Sequence, residues 1–343
     1  MKNYLVFLVA YSITICISCK NQNATNTANH TDSTARKITI YDPEANKLID
    51  SNAAVEIIAG GFTWTEGPLY VADGDYLLFS DIPANKIYKW KEGQDTSLFL
   101  TPSGNTTNPN LENEPGSNAL LLNSKGELVL CQHGDRRIAL MQAPLTAPKP
   151  QFLTLADKYE GKKLNSPNDA VYHANGDLYF TDPPYGLDKR IDDSTKELSF
   201  QGVYRLKPNG KLDVVTKELK YPNGIALSPD GKILYVASSD QANMIWMQYD
   251  LDSSGLPKSQ HLFYEVHAFE GKGKGGPDGM KVDKQGYLFA SGPEGLWIFN
   301  SAGKLLAKIF TGQATSNCAF SADQQTLFMT CDDYVMRVKL KQR

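Results

Sequence analysis

The sequence predicts an all-β, six-bladed β-propeller, and two observations lead to that prediction. A turn carrying an acid or amide side chain recurs six times along the 343 residues, each time directly before two apolar runs. The recurrences are 52, 50, 55, 55 and 39 residues apart, too long for two-helix solenoid units and close to the length of a four-stranded blade. The residues in these six slots are Glu66, Asn118, Asn168, Asn223, Asp278 and Asn317.

Each slot is predicted to open a β-hairpin. In the fourth repeat, residues 225–227 and 233–236 are apolar runs separated by the turn Pro229-Asp230-Gly231. One or two further apolar runs follow each hairpin and complete a four-stranded antiparallel sheet. The last repeat has only three such runs, so we expect a strand at residues 54–58 to complete the sixth blade and close the ring.

The N-terminus has the pattern of a targeting segment. Residues 1–19 combine a positively charged start with an apolar stretch, which predicts an export signal. The sequence around Cys19 resembles a bacterial lipobox, so we expect a periplasmic protein anchored to lipid at Cys19, with an ordinary cleaved signal peptide as the alternative. Residues 20–53 are predicted to be a flexible polar tether, and residues 54–343 the propeller domain.

Composition agrees with one compact domain that does not bind nucleic acid. Charged residues make up 21% of the chain and the net charge is −3, so there is no basic field for phosphates. We expect a monomer or dimer whose partner is a small molecule and whose membrane contact is the lipid anchor alone. The odd number of cysteines in the exported domain argues against a disulfide framework and favours buried thiols at Cys131, Cys318 and Cys331.

The six slots carry the predicted chemistry. The innermost strand of each propeller blade lines the central channel, so the residues that open these strands meet at one mouth of it. Two carboxylates and four amides would converge there, and such hard oxygen donors suit Ca²⁺, with Mg²⁺, Mn²⁺ or Zn²⁺ as alternatives. Asn and Asp are also good turn residues, which is the alternative explanation for any single slot, although it explains Glu66 poorly.

Several separated motifs resemble the senescence marker protein/gluconolactonase family of six-bladed propellers, over about residues 55 to 340. They are Glu66-Gly67-Pro68, Phe79-Ser80-Asp81-Ile82-Pro83, Asn165-Ser166-Pro167-Asn168-Asp169, Tyr179-Phe180-Thr181-Asp182-Pro183-Pro184-Tyr185-Gly186, Pro222-Asn223-Gly224 and Pro277-Asp278-Gly279-Met280. The resemblance implies a divalent-metal-dependent lactonase. It also implies that Glu66, Asn223 and Asp278 are metal ligands, with Asn168 a further ligand or a substrate contact.

Both lines of reasoning fit hydrolysis of a sugar lactone, in which a metal polarises the ester carbonyl while water attacks. Asp278 is the expected base. His133, at the end of a second strand, is an alternative base, a contact for a lactone hydroxyl or a hydrogen-bonded structural histidine. The expected substrate contacts are Asn118, Asn317, Asp182 and Tyr185, although Tyr185 could simply belong to a rigid turn.

Two other functions stay open: a lactonase for aromatic or hydrophobic lactones, and a non-catalytic propeller whose metal ties the blades together. Inward-facing Trp64, Tyr185 and Phe269 would favour the first alternative. Inward-facing Asn118, His133 and Arg136 would favour a polyhydroxylated ring.

Overall fold

The computed structural model describes Met1 and residues 36–108, 111–267 and 273–342. The predicted export signal and the Cys19 anchor lie outside the described residues, as does Phe269. Within these stretches no helix is both long enough and apolar enough to cross a bilayer.

The described chain forms a six-bladed β-propeller of antiparallel sheets, as predicted. The strands of each blade are given from the innermost outward. Blade 1 consists of β3 Thr65–Val71, β4 Tyr76–Asp81, β5 Lys86–Trp90 and β6 Ser97–Leu100, and blade 2 of β7 Ser117–Leu122, β8 Leu128–Gln132, β9 Arg137–Met141 and β10 Phe152–Ala156. Blade 3 consists of β13 Ala170–Tyr172, β14 Leu178–Asp182, β15 Gly202–Leu206 and β16 Leu212–Thr216. Blade 4 consists of β17 Pro222–Leu227, β18 Ile233–Ser238, β19 Ile245–Leu251 and β20 Pro257–Glu265. Blade 5 has five strands, which are β21 Met280–Val282, β22 Leu288–Gly292, β23 Gly295–Phe299, β24 Leu305–Phe310 and β1 Lys37–Ile40. Blade 6 consists of β25 Thr315–Phe320, β26 Thr326–Cys331, β27 Tyr334–Lys339 and β2 Glu56–Gly60.

The connections carry a few short elements. Strands β11 Lys158–Tyr159 and β12 Lys162–Lys163 form a small hairpin after blade 2. Single-turn 3₁₀ helices are found at Pro43–Lys47, Ala72–Gly74 and Arg190–Asp192.

The ring closes as the sequence predicts. Strand β2 lies antiparallel to β27, with Glu56 opposite Arg337 and Ile57 opposite Met336. A strand from the start of the domain therefore completes the last blade, so the first and last parts of the propeller are joined by backbone hydrogen bonds.

The predicted tether is wrong for residues 37–53, which pack on the propeller. Strand β1 pairs with β24 as a fifth strand of blade 5. Farther along, Leu48 and Ile49 are fully buried in the core between blades 5 and 6. Ile38 and Ile40 alternate with polar residues, which is the pattern of a β-strand. The pattern is short and lies in a polar stretch, so the sequence alone favours a tether there.

Neighbouring blades pack through hydrophobic clusters on both faces of each sheet. On β4, Leu77 and Phe79 contact blade 6, whereas Leu78 between them contacts blade 2. Because successive side chains of a strand point to opposite faces and both faces are buried, the second strands are continuous apolar runs. Cys131, Cys318 and Cys331 are buried free thiols in these interfaces.

Candidate active site

Irregular strand pairing shapes the channel mouth at the slots. The register between the first two strands shifts between Glu66 and Leu69 in blade 1 and between Ser117 and Leu120 in blade 2. The same shift lies between Pro222 and Ile225 in blade 4. A bulge bends a strand and re-aims the side chain at that point, so the backbone itself turns these slots toward the channel.

Five of the six slots meet in one cavity of about 600 Å³ at this mouth. Their side chains come from five different blades, and they are Glu66, Asn118, Asn168, Asn223 and Asp278. Residues separated by more than 200 positions thus share one cavity, and every one of them carries a side-chain oxygen.

The two carboxylates are held in a poorly solvated environment. Glu66 is 2% exposed and accepts a hydrogen bond of 2.7 Å from the Gly67 N–H. Burial raises the pKa of Glu66 to about 8, with a further contribution from the charge of Asp169. Burial, followed by the charge of Glu66, raises the pKa of Asp278 well above its ordinary value. Glu66 is buried and Asp278 is half-buried, and two interacting carboxylates of this kind favour a cation or protons between them.

The amide oxygens fit a cation better than protons. Asn118 Oδ1 and Asn223 Oδ1 are buried and have no hydrogen-bond partner among the described residues. An unpaired buried carbonyl oxygen is costly, and coordination of a hard cation satisfies it. The described residues contain no group of three or more His, Cys, Asp or Glu able to hold a metal, so the donor set is two carboxylates plus amides.

His133 lies behind the cavity wall and does not line the cavity. Its ring is fully buried, with Nε2 3.4 Å from Asn168 Nδ2 and Nδ1 3.2 Å from Glu114 Oε2. Asn168 and Glu114 both line the cavity and separate the imidazole from it. The structure therefore places His133 as a support of Asn168, and its assignment as an alternative base is wrong.

Tyr185 lies in the cavity wall, as expected for a substrate contact. Its ring stacks on Tyr221 with centroids 5.9 Å apart, and its hydroxyl is 2.5 Å from Ser239 Oγ. Ser239 Oγ also accepts a hydrogen bond of 3.1 Å from Asn223 Nδ2. The wall that would face a substrate is thereby connected to one of the slots.

Asp182 and Asn317 do not line this cavity. Both carboxylate oxygens of Asp182 accept backbone hydrogen bonds of 2.8 Å, from Asn165 and Ser166, so this residue fixes the loop before Asn168. Asn317 lines a second cavity of about 370 Å³, together with Asp169 and Lys281. The expected substrate contacts at these two residues are therefore wrong for the cavity as it stands.

The rim contains residues that the repeat pattern did not identify. Glu114, Tyr221, Arg190 and Lys220 line the cavity but belong to connections between repeats. Arg190 lies over the Tyr185 ring and Lys220 over the Tyr221 ring, at 5.5 and 5.4 Å from the centroids. Trp64 also lines the cavity, whereas Arg136 turns away and donates from Nε to the Leu164 carbonyl at 2.7 Å.

Known proteins are similar to this chain in sequence and in fold. The sequence model of the SMP-30/gluconolactonase/LRE-like region matches residues 64–332. A gluconolactonase from Zymomonas mobilis subsp. mobilis is 41% identical over 344 residues, which cover 98% of this chain and 95% of that protein. A gluconolactonase structure from Xanthomonas campestris is 29% identical, with a TM-score of 0.76 over 89% of this chain and 95% of its own. Regucalcin from Agrobacterium tumefaciens, described as a calcium-binding protein, has a TM-score of 0.66 over 85% and 96%; at 18% identity this likeness concerns the fold alone.

Proposed function

The chain belongs to the SMP-30/gluconolactonase/LRE-like family and is a lactone hydrolase, and we propose that it opens a sugar lactone with the help of a divalent cation. The observation that carries the proposal is the convergence in one cavity of two carboxylates with the unpaired amide oxygens of Asn223, which would bind the cation, and Asn118, which would accept from a substrate hydroxyl. Turn chemistry alone would not leave those oxygens without partners.

The cation would be held by Glu66, Asn168, Asn223 and Asp278, all of which line the cavity. Oxygen donors of this kind suit Ca²⁺ best. Bound there, it would polarise the lactone carbonyl and stabilise the negative charge that develops on the carbonyl oxygen.

Asp278 is the residue we assign as the base. Its carboxylate lines the cavity, so it can accept a proton from a water molecule whose oxygen forms a bond to the carbonyl carbon. The bond between that carbon and the ring oxygen then breaks, and the same carboxyl group returns the proton to the leaving oxygen. The balanced outcome is one hydroxy acid from one lactone and one water.

The lining supports two classes of lactone. Of the three residues that would favour a polyhydroxylated ring, only Asn118 lines the cavity. Asn118 and Glu114 still provide hydrogen-bonding groups for such a ring, and the relatives at 41% and 29% identity are gluconolactonases, so this is the substrate we propose. Trp64 and the stacked pair Tyr185 and Tyr221 form an aromatic wall, which favours an aromatic lactone as the second candidate. Aromatic walls also bind the apolar faces of sugar rings, so the wall fits both classes.

A hydrolysis assay tests this function. Purified protein is stripped with a chelator, reconstituted with Ca²⁺, Mg²⁺, Mn²⁺ or Zn²⁺, and assayed by proton release on glucono-, galactono- and xylono-lactones and on dihydrocoumarin. We expect cation-dependent hydrolysis of at least one sugar lactone. Turnover on dihydrocoumarin alone would assign the second candidate, and bound cation without turnover on any substrate would assign the non-catalytic alternative.

The Asp278→Asn variant tests the base. We expect kcat to fall by about 100-fold or more, because proton transfer by a positioned group contributes on that order. The matched control is Asp323→Asn in the hairpin turn between β25 and β26, which makes the same chemical change outside the cavity. Near-wild-type turnover in Asp278→Asn would refute the assignment.

We also propose that the protein is exported and held at the periplasmic membrane through Cys19. The pattern of residues 1–19 supports this proposal. Radiolabelled palmitate should label the wild-type protein in cells, and Cys19→Ser should lose the label and move to the soluble fraction. Labelling that persists in Cys19→Ser would contradict the proposal.

A further inference from the structure

A primary amide offers either an oxygen or an NH₂ group, and the two orientations occupy almost the same space. Only the oxygen can coordinate a cation. A site that uses asparagine ligands therefore needs something that fixes each amide with its nitrogen turned away from the cavity centre.

At Asn223 the amide nitrogen is held by Ser239. Asn223 Nδ2 donates to Ser239 Oγ at 3.1 Å, which leaves Oδ1 as the buried atom without a partner. Ser239 is itself fixed, since its N–H donates to the Tyr221 carbonyl at 3.1 Å and its Oγ lies 2.5 Å from the Tyr185 hydroxyl.

At Asn168 the amide nitrogen is turned toward His133. The 3.4 Å contact from Asn168 Nδ2, which can only donate, requires an unprotonated Nε2 that accepts. On the other side of the ring, Nδ1 lies 3.2 Å from Glu114 Oε2 but makes no hydrogen bond among the described residues. Gly186 packs tightly against this ring, because a Cβ on it would lie 2.6 Å from His133 Cβ.

We propose that Ser239 and His133 are positioning residues that orient the amides of Asn223 and Asn168 with their oxygens toward the cavity, and thereby set its affinity for a hard divalent cation. This inference rests on the cation of the proposed function. Tyr185 and Glu114 also line the cavity, so each positioning contact is anchored in the wall that a substrate would touch.

Calorimetric titration of the chelator-treated protein with Ca²⁺ and Mn²⁺ tests the inference. We expect Ser239→Ala to raise the Kd by about 10-fold, the usual cost of losing a residue that orients a ligand. Ser239→Thr keeps the hydroxyl and should recover most of the affinity. His133→Leu should raise the Kd similarly, and His133→Gln, which keeps an acceptor near the Nε2 position, should recover part of it.

Two further measurements separate positioning from a general structural effect. The melting temperature without cation should be the same for Ser239→Ala and wild type, and turnover of Ser239→Ala should return at saturating cation. Ser238→Ala is the matched control, since it deletes the same hydroxyl one residue away at a position that does not line the cavity.

The outcomes distinguish this inference from the proposed function. Wild-type Kd values in both Ser239→Ala and His133→Leu would overturn the inference while leaving the cation site intact, and so would an equal loss in Ser238→Ala. Wild-type protein that binds neither cation would overturn the cation of the proposed function and this inference with it.

Discussion

Asn223 and Asn317 are the same residue in equivalent slots, yet the structure uses them differently. Both are buried asparagines beside a register shift in an innermost strand. Asn223 gives its nitrogen to Ser239 and keeps its oxygen for the cavity. Asn317 Oδ1 instead accepts from the Cys318 N–H at 2.8 Å and from Lys281 Nζ at 3.2 Å, so that oxygen is already satisfied.

The neighbouring blade accounts for the difference. The Asn317 amide packs against Gly279 of the preceding slot, and a Cβ on Gly279 would come within 1.9 Å of Asn317 Cγ. Lys281, two residues farther on, supplies the cation that binds the amide oxygen, and Asp169 lies 3.5 Å from Nδ2. The residue type at a slot therefore does not set its role; the partner across the blade interface does.

Removing a carboxylate from the cavity should change the cation Kd more than any other substitution we compare. We expect Glu66→Gln to raise the cation Kd by about 100-fold or more, since the number of charged ligands strongly tunes the affinity of such sites. Titration calorimetry measures the Kd. The matched control is Glu56→Gln on β2, an exposed glutamate paired with Arg337 outside the cavity. A wild-type Kd in Glu66→Gln would mean that Glu66 is not a cation ligand. The cavity slots would then not differ from the Asn317 slot in cation binding.

Truncating the two asparagines tests the comparison itself. We expect Asn223→Ala to raise the cation Kd by about 10-fold through loss of one neutral oxygen ligand. Asn317→Ala should stay within about 3-fold but should lower the free energy of unfolding by about 1–3 kcal/mol, because the Cys318 N–H and Lys281 lose an acceptor. Calorimetry and urea unfolding measure the two effects. The reverse pattern, with binding lost only in Asn317→Ala, would invert our assignment of the two slots.

Most of the fold could be predicted because the repeat period and the strand alternation are local signals. The closing strand β2 followed from a count of strands in the last repeat, and its pairing with β27 confirms it. The packing of Leu48 and Ile49 could not be predicted in the same way. These residues belong to no repeat, and their burial depends on a surface that exists only once blades 5 and 6 are assembled.

The candidate site was predictable only as far as the repeats reach. Glu66, Asn118 and the three other cavity slots follow from their position before an innermost strand. The direction of each side chain does not follow, because it depends on bulges and on partners from other blades, as Asn317 shows. Glu114 and Tyr221 carried no repeat signal, and the place of His133 behind Asn168 needed the packing of Gly186 against its ring.

The smallest effect we predict concerns the hydroxyl of Tyr185. This hydroxyl contacts Ser239, which in turn accepts a hydrogen bond from Asn223, so it links the aromatic wall to that slot. Tyr185→Phe keeps the ring that stacks on Tyr221 but removes the contact to Ser239 Oγ. Because Ser239 still accepts from Asn223, we expect the cation Kd to rise by only about 3-fold, in line with one net hydrogen bond.

The matched control for the titration is Tyr287→Phe, which removes a hydroxyl that donates to Glu44 at 3.0 Å; neither of these residues lines the cavity. The Km for a sugar lactone should stay near the wild-type value in Tyr185→Phe, because the aromatic face remains in place. A large rise in Km with an unchanged Kd would mean that the hydroxyl contacts substrate and that Ser239 holds Asn223 without help from the wall.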